Sequence, residues 1–482
     1  MKAVEGALAG AATRPPGRPS PAPRALLESI GDHERVPVLG GSTRRYVNLD
    51  IAASAPALAC VRDSVDQFLR WYSNVHRGVG YKSRLSSWAY DTARDRVARF
   101  VGADPESSVV LFCRNATEAL NRLAHRYPFR RGDVVLTTVM EHHSNELPWR
   151  RVAEVAHIGV TPEGRVDQAD LDAKLSRYAG RVRLLAVSGA SNVTGYVNPI
   201  HSWARKAHAV GAEIAVDAAQ LAPHRPISLK KGSDPEHLDY VAFSAHKMYA
   251  PFGVGVLAGS RRVFAQGDPD IVGGGTVDMV SLESAYWTDL PDREEAGTPD
   301  IVGVVALARA IRALEEIGWT EIRRHEAELT ALALARLGGI PGVALYGEAD
   351  PAGAASRLGV VPFNVLGVPH ALTAAILSAE WGIGVRSGCF CAHPYITTIL
   401  GVSESEAKLL EKSILARDRS AVPGAVRASF GISSTAEDVE RLAEAVDAVA
   451  RGEYDRGYVL DAERGEYSHP GLPSDFARRV SF

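Results

Sequence analysis

A lysine set between a hydroxyl and an imidazole, just past an apolar run, has the surroundings of an amine that must lose its proton. Lys247 has that setting in Phe243-Ser244-Ala245-His246-Lys247-Met248-Tyr249-Ala250-Pro251-Phe252-Gly253-Val254-Gly255. A deprotonated amine forms a Schiff base with an aldehyde, and pyridoxal phosphate is the commonest aldehyde that proteins hold. A surface lysine on a loop fits this one stretch about equally well. The residues at neighbouring strand ends must therefore decide.

Asp217 follows the apolar run Glu213-Ile214-Ala215-Val216 and precedes Ala218-Ala219-Gln220. Facing a pyridine nitrogen, it would hold a proton there, since each charge of the pair favours the other; an N-cap for a following helix is the plainer alternative. Gln220 could donate to a phenolate oxygen. Asn115-Ala116-Thr117-Glu118 opens a helix after the run 109–112, and amides with a hydroxyl at a helix start suit a phosphate. Thr117, Ser244 and His246 are the candidate phosphate groups, although capping alone would also explain Thr117. Glu141-His142-His143-Ser144-Asn145 ends another run, where an imidazole could stack on a flat ring or move a proton. A metal site there would need further ligands, and none is evident in the sequence. Ser191-Asn192-Val193-Thr194-Gly195 places one more amide at a strand end, and Gly273-Gly274-Gly275 and Glu295-Ala296-Gly297-Thr298-Pro299 read as flexible loops.

These positions require a scaffold that brings strand ends together. Apolar runs at 109–112, 134–139, 183–187, 213–216, 240–243 and 254–257 alternate with helical patterns at 117–126, 145–155, 168–178 and 200–210. Continuous apolar strands between helices predict a mostly parallel sheet covered on both faces, with ligands at the strands' carboxyl ends. Past residue 300, Ile301, Val304, Ala308, Ile311 and Leu314 mark one face of a long helix that Gly318 can stop. A smaller α/β region follows, ending in a helix over 435–450 with Thr435 and Asp438 at capping-box spacing. At 482 residues, 46% hydrophobic and 23% charged, the chain has the composition of a two-domain globular enzyme. A net charge of −3 gives no reason to expect nucleic-acid or membrane binding, and four cysteines are too few for a disulfide scaffold, which fits a reducing cytoplasm. Residues 1–24 read as a disordered tail, and 453–482 as charged and turn-rich with no assignable element.

Taken together, these residues resemble the fold-type I pyridoxal-phosphate enzymes of aminotransferase class V, and most closely the SufS-like cysteine desulfurases and selenocysteine lyases. The resemblance runs in order over about residues 45–450. It begins at Leu49-Asp50-Ile51-Ala52-Ala53-Ser54-Ala55 and Asn74-Val75-His76-Arg77-Gly78 and passes through the motifs above. It implies an aspartate-aminotransferase-like α/β fold with a mostly parallel seven-stranded sheet and a smaller C-terminal α/β domain. The bounds it suggests are 25–60 for an N-terminal segment packing with the small domain, 61–310 for the cofactor-binding domain and 311–452 for the small domain. Lys247 would then carry the pyridoxal 5'-phosphate and act as general base, with Asp217 at the ring nitrogen. His143 would stack on the ring and serve in catalysis, and Asn192 and Gln220 would lie on its phenolate side. Thr117, Ser244 and His246 would hold the phosphate, and Thr298 would reach across from the second subunit of a homodimer. His76, Asn192, Arg386 and Arg427 would meet an amino-acid substrate. No metal is expected.

The reaction turns on Gly384-Val385-Arg386-Ser387-Gly388-Cys389-Phe390-Cys391-Ala392-His393-Pro394. Desulfurases of this family carry the nucleophile in an Arg-(Thr/Ser)-Gly-x-x-Cys-Ala context, a position held by Cys391 and not by Cys389. The resemblance then implies conversion of L-cysteine to L-alanine with a persulfide left on Cys391 for a protein sulfur acceptor. Arg386 and Arg427 match the arginines that grip the substrate carboxylate, a task suited to their forked donors. A zinc site from Cys389, Cys391 and His393 and an inert buried thiol are the alternatives for the cysteines. The chain departs from the family at 395–424, where a helix over 403–417, capped by Ser403 and Glu406, is inserted beside the site. Such an insertion can form a lid, shape a pocket or dock an acceptor. A class V enzyme acting on another amino acid or sulfur conjugate, as C–S lyase, selenocysteine lyase, transaminase or epimerase, is the second reading. A non-catalytic cofactor-binding regulator would need an appended binding module, and residues before 45 show none.

Overall fold

The computed structural model describes residues 23–480, so nearly all of the expected tail 1–24 lies outside the described residues. Seven strands form the central sheet: β1 (Ser108–Cys113), β2 (Val134–Thr138), β3 (Glu154–Ile158), β4 (Val182–Ser188), β5 (Glu213–Asp217), β6 (Tyr240–Ser244) and β7 (Gly255–Ser260). Their order is β1-β7-β6-β5-β4-β2-β3, and only β7 runs antiparallel to its neighbours. Every residue of β2 and β6 is buried, as a sheet covered on both faces requires. The mostly parallel sheet read from the apolar runs is therefore present.

One expectation fails. The pattern at 145–155 does not form a helix; the chain makes two short 3-10 turns, His143–Asn145 and Trp149–Arg151, and then enters β3. Pro148 lies inside the expected helix, where it would remove a ladder hydrogen bond and clash with the preceding turn. Val155 then pairs with Val135 across the sheet edge.

Helix α1 (Ala116–Arg126) starts directly after β1, capped by Asn115, whose side chain accepts from the Glu118 N–H at 2.9 Å. Gly255 lets β7 pass this cap, because a Cβ there would stand 2.3 Å from the Asn115 carbonyl carbon. Helix α2 (Ile301–Ile317) packs Ile311 and Leu314 into the same core as the large sheet and ends at Gly318 with φ 89°. The expected boundary at 310/311 thus falls inside a helix of the large domain. A separate core takes Leu329, Leu334 and Leu337 of α3 (Trp319–Gly338) together with Val47 and Leu49.

The small domain is built on β8 (Val343–Leu345), β9 (Val360–Val365), β10 (Arg386–Gly388) and β11 (Ala425–Ser429), in the order β8-β9-β11-β10. The N-terminal segment meets it in a short parallel ladder, where Val47 pairs with Ile383 and Asn48 with Gly384. The segment 395–424, expected to hold one helix over 403–417, holds most of α4 (His393–Ile399) and then α5 (Glu404–Leu415), which has the anticipated Ser403–Glu406 capping box. Helix α6 (Ala436–Ala450) has the Thr435–Asp438 box. The last segment is more ordered than its composition suggests. It forms a hairpin, Val459–Asp461 with Glu466–Ser468, held near the body where the Tyr458 hydroxyl donates to Glu380 at 2.9 Å. Among the described residues no helix is long and apolar enough to cross a membrane.

The loop at 295–299 is anchored rather than flexible. The Glu295 carboxylate is buried and accepts from Arg94 Nη1 (2.7 Å) and Nη2 (2.8 Å), the Tyr90 hydroxyl (2.6 Å) and the Phe112 N–H (2.7 Å). Removing one partner of such a buried pair leaves an uncompensated charge. Glu295→Ala is therefore expected to lower unfolding stability by about 3–5 kcal/mol in chemical denaturation, with Glu295→Gln losing less.

Candidate active site

The carboxyl ends of β1, β2, β4, β5 and β6 converge with the small domain on a cavity of about 350 Å³, a size that suits a small bound molecule. Lys247 and Asp217 both line it. Asp217 is the last residue of β5 and lines the cavity; its Oδ1 accepts from the Ala219 N–H at 2.9 Å in a turn, and no helix follows for it to cap. Lys247 lies in a 3-10 turn after β6. That turn is fastened by the Ala245 N–H donating to Val254 O (2.8 Å) and the Ala55 N–H to His246 O (2.9 Å).

Burial sets the protonation of this group. It pushes the Lys247 ammonium down to about 8, with Asp217 pulling the other way and Arg427 pushing further down. Burial likewise raises the Asp217 carboxyl, opposed by the Ala219 amide and by Lys247. His142 and His246 are each pushed down to about 4, first by burial and then by Lys247, so both rings are neutral near pH 7.

Of the two adjacent histidines, His142 lines the cavity and His143, expected from the sequence to do so, does not. His142 has extended backbone and lines the cavity, and its Nδ1 accepts from the Ser144 N–H at 3.1 Å, which assigns the ring proton to Nε2. His143 begins the following turn and faces out of the cavity. Its N–H donates to Cys391 O (2.8 Å), and its ring lies parallel to that of His393 at 5.0 Å and 5°. Adjacent histidines project to different sides here, and composition alone could not choose between them.

At the other end, Thr117, Ser244 and His246 line the cavity together with Ser144. Ser244 Oγ accepts from the Ala116 N–H at 2.8 Å, Thr117 Oγ1 and Ser144 Oγ lie 2.6 Å apart, and His246 Nδ1 is 3.3 Å from Ser54 Oγ. Hydroxyls at the start of α1 fit a phosphate, and a buried acid and a depressed lysine at the opposite side fit a pyridine aldehyde. Gln220 and Asn192 also line the cavity; Gln220 Nε2 donates to Ala52 O (2.7 Å) and Asn192 Nδ2 to Phe390 O (2.7 Å). His76 and Thr298 do not line it. His76 is exposed, with its ring edge-on to Tyr90 at 5.6 Å, and Thr298 is exposed on the loop that Glu295 anchors.

Arg386, Arg427, Phe390 and Cys391 close the cavity from the small domain. Arg427 is buried; its Nη1 donates to Asn192 O (2.9 Å) and its Nη2 to Asp50 Oδ1 (3.1 Å), while Arg386 Nη2 meets Asp50 Oδ2 at 2.8 Å. Arg427 Nε has no acceptor among the described residues. Burial lowers the Arg427 guanidinium to about 10 against the pull of Asp50, so it stays cationic at neutral pH. Phe390 and Cys391 both have positive φ, 53° and 56°, which is costly for residues with side chains. The bend is held by Asn192 on Phe390 O, by His143 on Cys391 O and by Arg427 lying 4.9 Å over the Phe390 ring. Cys391 is exposed to the cavity mouth, and Cys389 is half-buried.

Sequence reasoning missed two acids. Asp50 lies in a motif that was noted without a role. Glu141 is buried, accepting from the hydroxyls of Thr138 and Ser188 (both 2.6 Å), the Ser188 N–H (3.0 Å) and Asn145 Nδ2 (2.7 Å). Burial raises it to about 7 against those hydrogen bonds. It positions the His142 loop against β4, and its only sequence signal is an acid directly after an apolar strand.

Comparison with known proteins agrees with this geometry. The family described as Aminotransferase class-V matches residues 47–442. The chain belongs to that family. It is 35% identical over 411 residues to a probable cysteine desulfurase of Halalkalibacterium halodurans, covering 83% of this chain and 92% of that one. A cysteine desulfurase of Haloferax volcanii is 34% identical over 431 residues, covering 88% and 92%. Among solved structures, the apo cysteine desulfurase of Thermococcus onnurineus NA1 superposes with a TM-score of 0.73 at 33% identity, covering 84% of this chain and 95% of that one. A cysteine desulfurase of Escherichia coli gives 0.71 at 29% identity, covering 85% and 96%.

The depressed lysine makes a pH test possible. Between about 8 and 10.5 the unfolded cofactor-free chain holds a proton on Lys247 that the folded chain does not. Stability of that chain should therefore rise with pH across this window, by on the order of 3 kcal/mol in all. In Lys247→Met this rise should be absent, as read by denaturant midpoints of the cofactor-free proteins at pH 7.5 and 10.5.

Proposed function

We propose that this protein is a pyridoxal-phosphate-dependent cysteine desulfurase that converts L-cysteine to L-alanine and takes the sulfur onto Cys391. The observation that carries the reading is one cavity lined by a depressed lysine, a buried acid, two arginines clasped on Asp50 and an accessible cysteine. Pyridoxal 5'-phosphate, when bound, supplies an aldehyde for an amino group and a ring that takes up electrons released at the substrate carbon. Lys247 and Asp217 would hold it with Thr117, Ser244 and His246 at the phosphate, His142 at the ring face, and Asn192 and Gln220 beside the ring.

Lys247 is the base that moves the substrate Cα proton, because burial has brought its own proton affinity close to neutral pH. Arg427 and Arg386 receive the substrate carboxylate, with Arg427 Nε as a donor still without an acceptor. The Cys391 thiolate forms an S–S bond with the substrate sulfur as the Cβ–S bond breaks, and protonation of that carbon completes alanine. The persulfide sulfur is then passed to a protein acceptor.

The chain acts as a homodimer in the cytoplasm under this reading. Two neighbouring segments support a second copy, linked where Arg77 donates to Val277 O at 3.2 Å. They expose Val79, Tyr81, Trp88, Met279 and Leu282, which solvent alone would leave uncovered. Thr298 on the nearby loop would then serve the partner's phosphate, and His76 its substrate mouth. One observation favours a second reading, a bulkier sulfur conjugate as substrate. Helices α4 and α5 enclose an apolar pocket of about 240 Å³ beside Cys389.

Purified wild-type protein should release alanine from L-cysteine, and Cys391→Ala should lose this by at least about a hundredfold while retaining the cofactor absorbance. Full alanine release by Cys391→Ala would remove the nucleophile assignment. Turnover of a conjugate in preference to cysteine would favour the second reading. Leu282→Glu together with Trp88→Glu is expected to shift the sedimentation coefficient to that of a monomer and to weaken cofactor retention.

A further inference from the structure

Cys391 serves the cavity, whereas Cys389, two residues before it, has no part in forming the persulfide. Cys389–Ala392 is a tight turn. The Ala392 N–H donates to Cys389 O at 2.9 Å, and both central residues, Phe390 and Cys391, have positive φ, the pattern of a type I′ turn. We infer that Cys389 is a second sulfur-carrying thiol, which takes the outer sulfur of the Cys391 persulfide and holds it for the acceptor beside the pocket between α4 and α5. The inference rests on the desulfurase reading and adds one step after it.

The turn stands between two cavities, and each thiol belongs to one. Cys391 is exposed and lines the active-site cavity. Cys389 is half-buried and lines the apolar pocket of about 240 Å³ with Ile396, Ala407, Leu410 and Ile414. Across such a turn, Cα atoms two residues apart are separated by about 5.5 Å, a distance that sulfur–sulfur bonding can span. The outer sulfur of a persulfide stands about 2.05 Å beyond Cys391 Sγ, so it reaches further round the turn than the thiol does. The zinc alternative for these cysteines is not formed, because Cys389, Cys391 and His393 do not bring three ligand atoms within 4.8 Å of one another.

The surroundings of Cys389 suit a sulfur anion that forms late. Burial raises its thiol, the Cys391 N–H lowers it, a Cys391 thiolate raises it, and the N–H groups of Cys389 itself and of Ala392 lower it. Cys389 therefore stays protonated while Cys391 is a thiolate, and does not compete for the substrate sulfur. Once Cys391 carries the sulfur, that charge has left its Sγ and the three amides remain. His393 supplies the base. Its N–H donates to His143 Nε2 at 3.3 Å, which fixes a lone pair on that nitrogen. His393 Nδ1, 3.2 Å from the same atom, is then the donor of the pair, and its own lone pair is left on Nε2. His393 lines the pocket together with Cys389.

The Cys389 proton passes to His393 Nε2, and the Cys389 thiolate attacks the outer sulfur of the Cys391 persulfide. One S–S bond forms at Cys389 as the other breaks, and the electron pair of the broken bond stays on Cys391 as a thiolate. The hydrogen on the outer sulfur travels with it. A sulfur atom changes carrier with no net oxidation or reduction. Cys391 is then free for a second cysteine, while the apolar walls of α4 and α5 shelter the first sulfur from dissolved thiols.

The test mixes holoenzyme with excess L-cysteine in a rapid-quench experiment without acceptor. Wild type should release roughly two alanines per chain in the burst, and Cys389→Ser roughly one, because each carrier holds one sulfur. Peptide mass spectrometry after alkylation should place an added sulfur on Cys389 in the unsubstituted chain, a measurement independent of how the variant folds. A burst of one in wild type, with added sulfur on Cys391 alone, would overturn the relay and leave the desulfurase reading intact. No alanine from wild type would remove that reading and the relay with it.

Discussion

The guanidinium of Arg427 is the contact on which the active site depends. It is buried, and its partners come from three separate parts of the chain: Asp50 from the N-terminal segment, Asn192 from the loop after β4, and the Phe390 ring from the cysteine loop. A buried cation without partners costs several kcal/mol, so these segments are held together as long as the charge stays in place. Asp50 also reaches Arg386, so one carboxylate keeps two like charges side by side. The result is a pair of forked donors held in place at the cavity wall by one carboxylate.

The same burial that makes Arg427 demanding sets the chemistry of its neighbours. A site formed where two domains meet excludes water from Lys247, His142 and His246, and all three are pushed toward their neutral forms. The lysine can then work as a base near pH 7, and the imidazole of His142 can lie against a flat ring without adding a charge. The domains are joined by neutral contacts as well: the Ile432 N–H donates to the Tyr249 hydroxyl at 3.0 Å, two residues beyond Lys247. Tyr249 has φ 61°, so this anchor too is made at a backbone bend that its surroundings must hold in place.

Much of the scaffold was legible because strands buried on both faces read as unbroken apolar runs. Six of the seven were found that way, within three residues at each end. The exception, β3, lies at the sheet edge, where Val155 and Ala156 are only partly buried and charged neighbours blur the pattern. Lys247, Asp217 and Thr117 were legible because they follow such runs directly. Side-chain direction was not: His142 and His143 have the same chemistry, and only the turn at His143–Asn145 sends one into the cavity and the other toward His393. Asp50 was invisible for a different reason. Its role exists only through Arg386 and Arg427, more than three hundred residues away, and no local pattern encodes that contact.

The segment after Cys391 helps to hold the Cys391 loop in place. Helix α4 is fastened to the large domain by Tyr395, whose hydroxyl donates to Gly164 O at 2.6 Å and is 2.9 Å from Thr194 Oγ1. His393, at the start of α4, stacks on His143, whose backbone in turn holds the Cys391 carbonyl. The left-handed bend at Phe390 and Cys391 is therefore gripped from both sides, by Arg427 and Asn192 before it and by α4 behind it. Helix α5 is different: none of its residues is buried, and with α4 it leaves an apolar pocket at Cys389. The grip on the thiol and the open pocket beside it are thus assigned to different helices. Sequence change in α5 can alter what approaches Cys391 without loosening the bend that presents it.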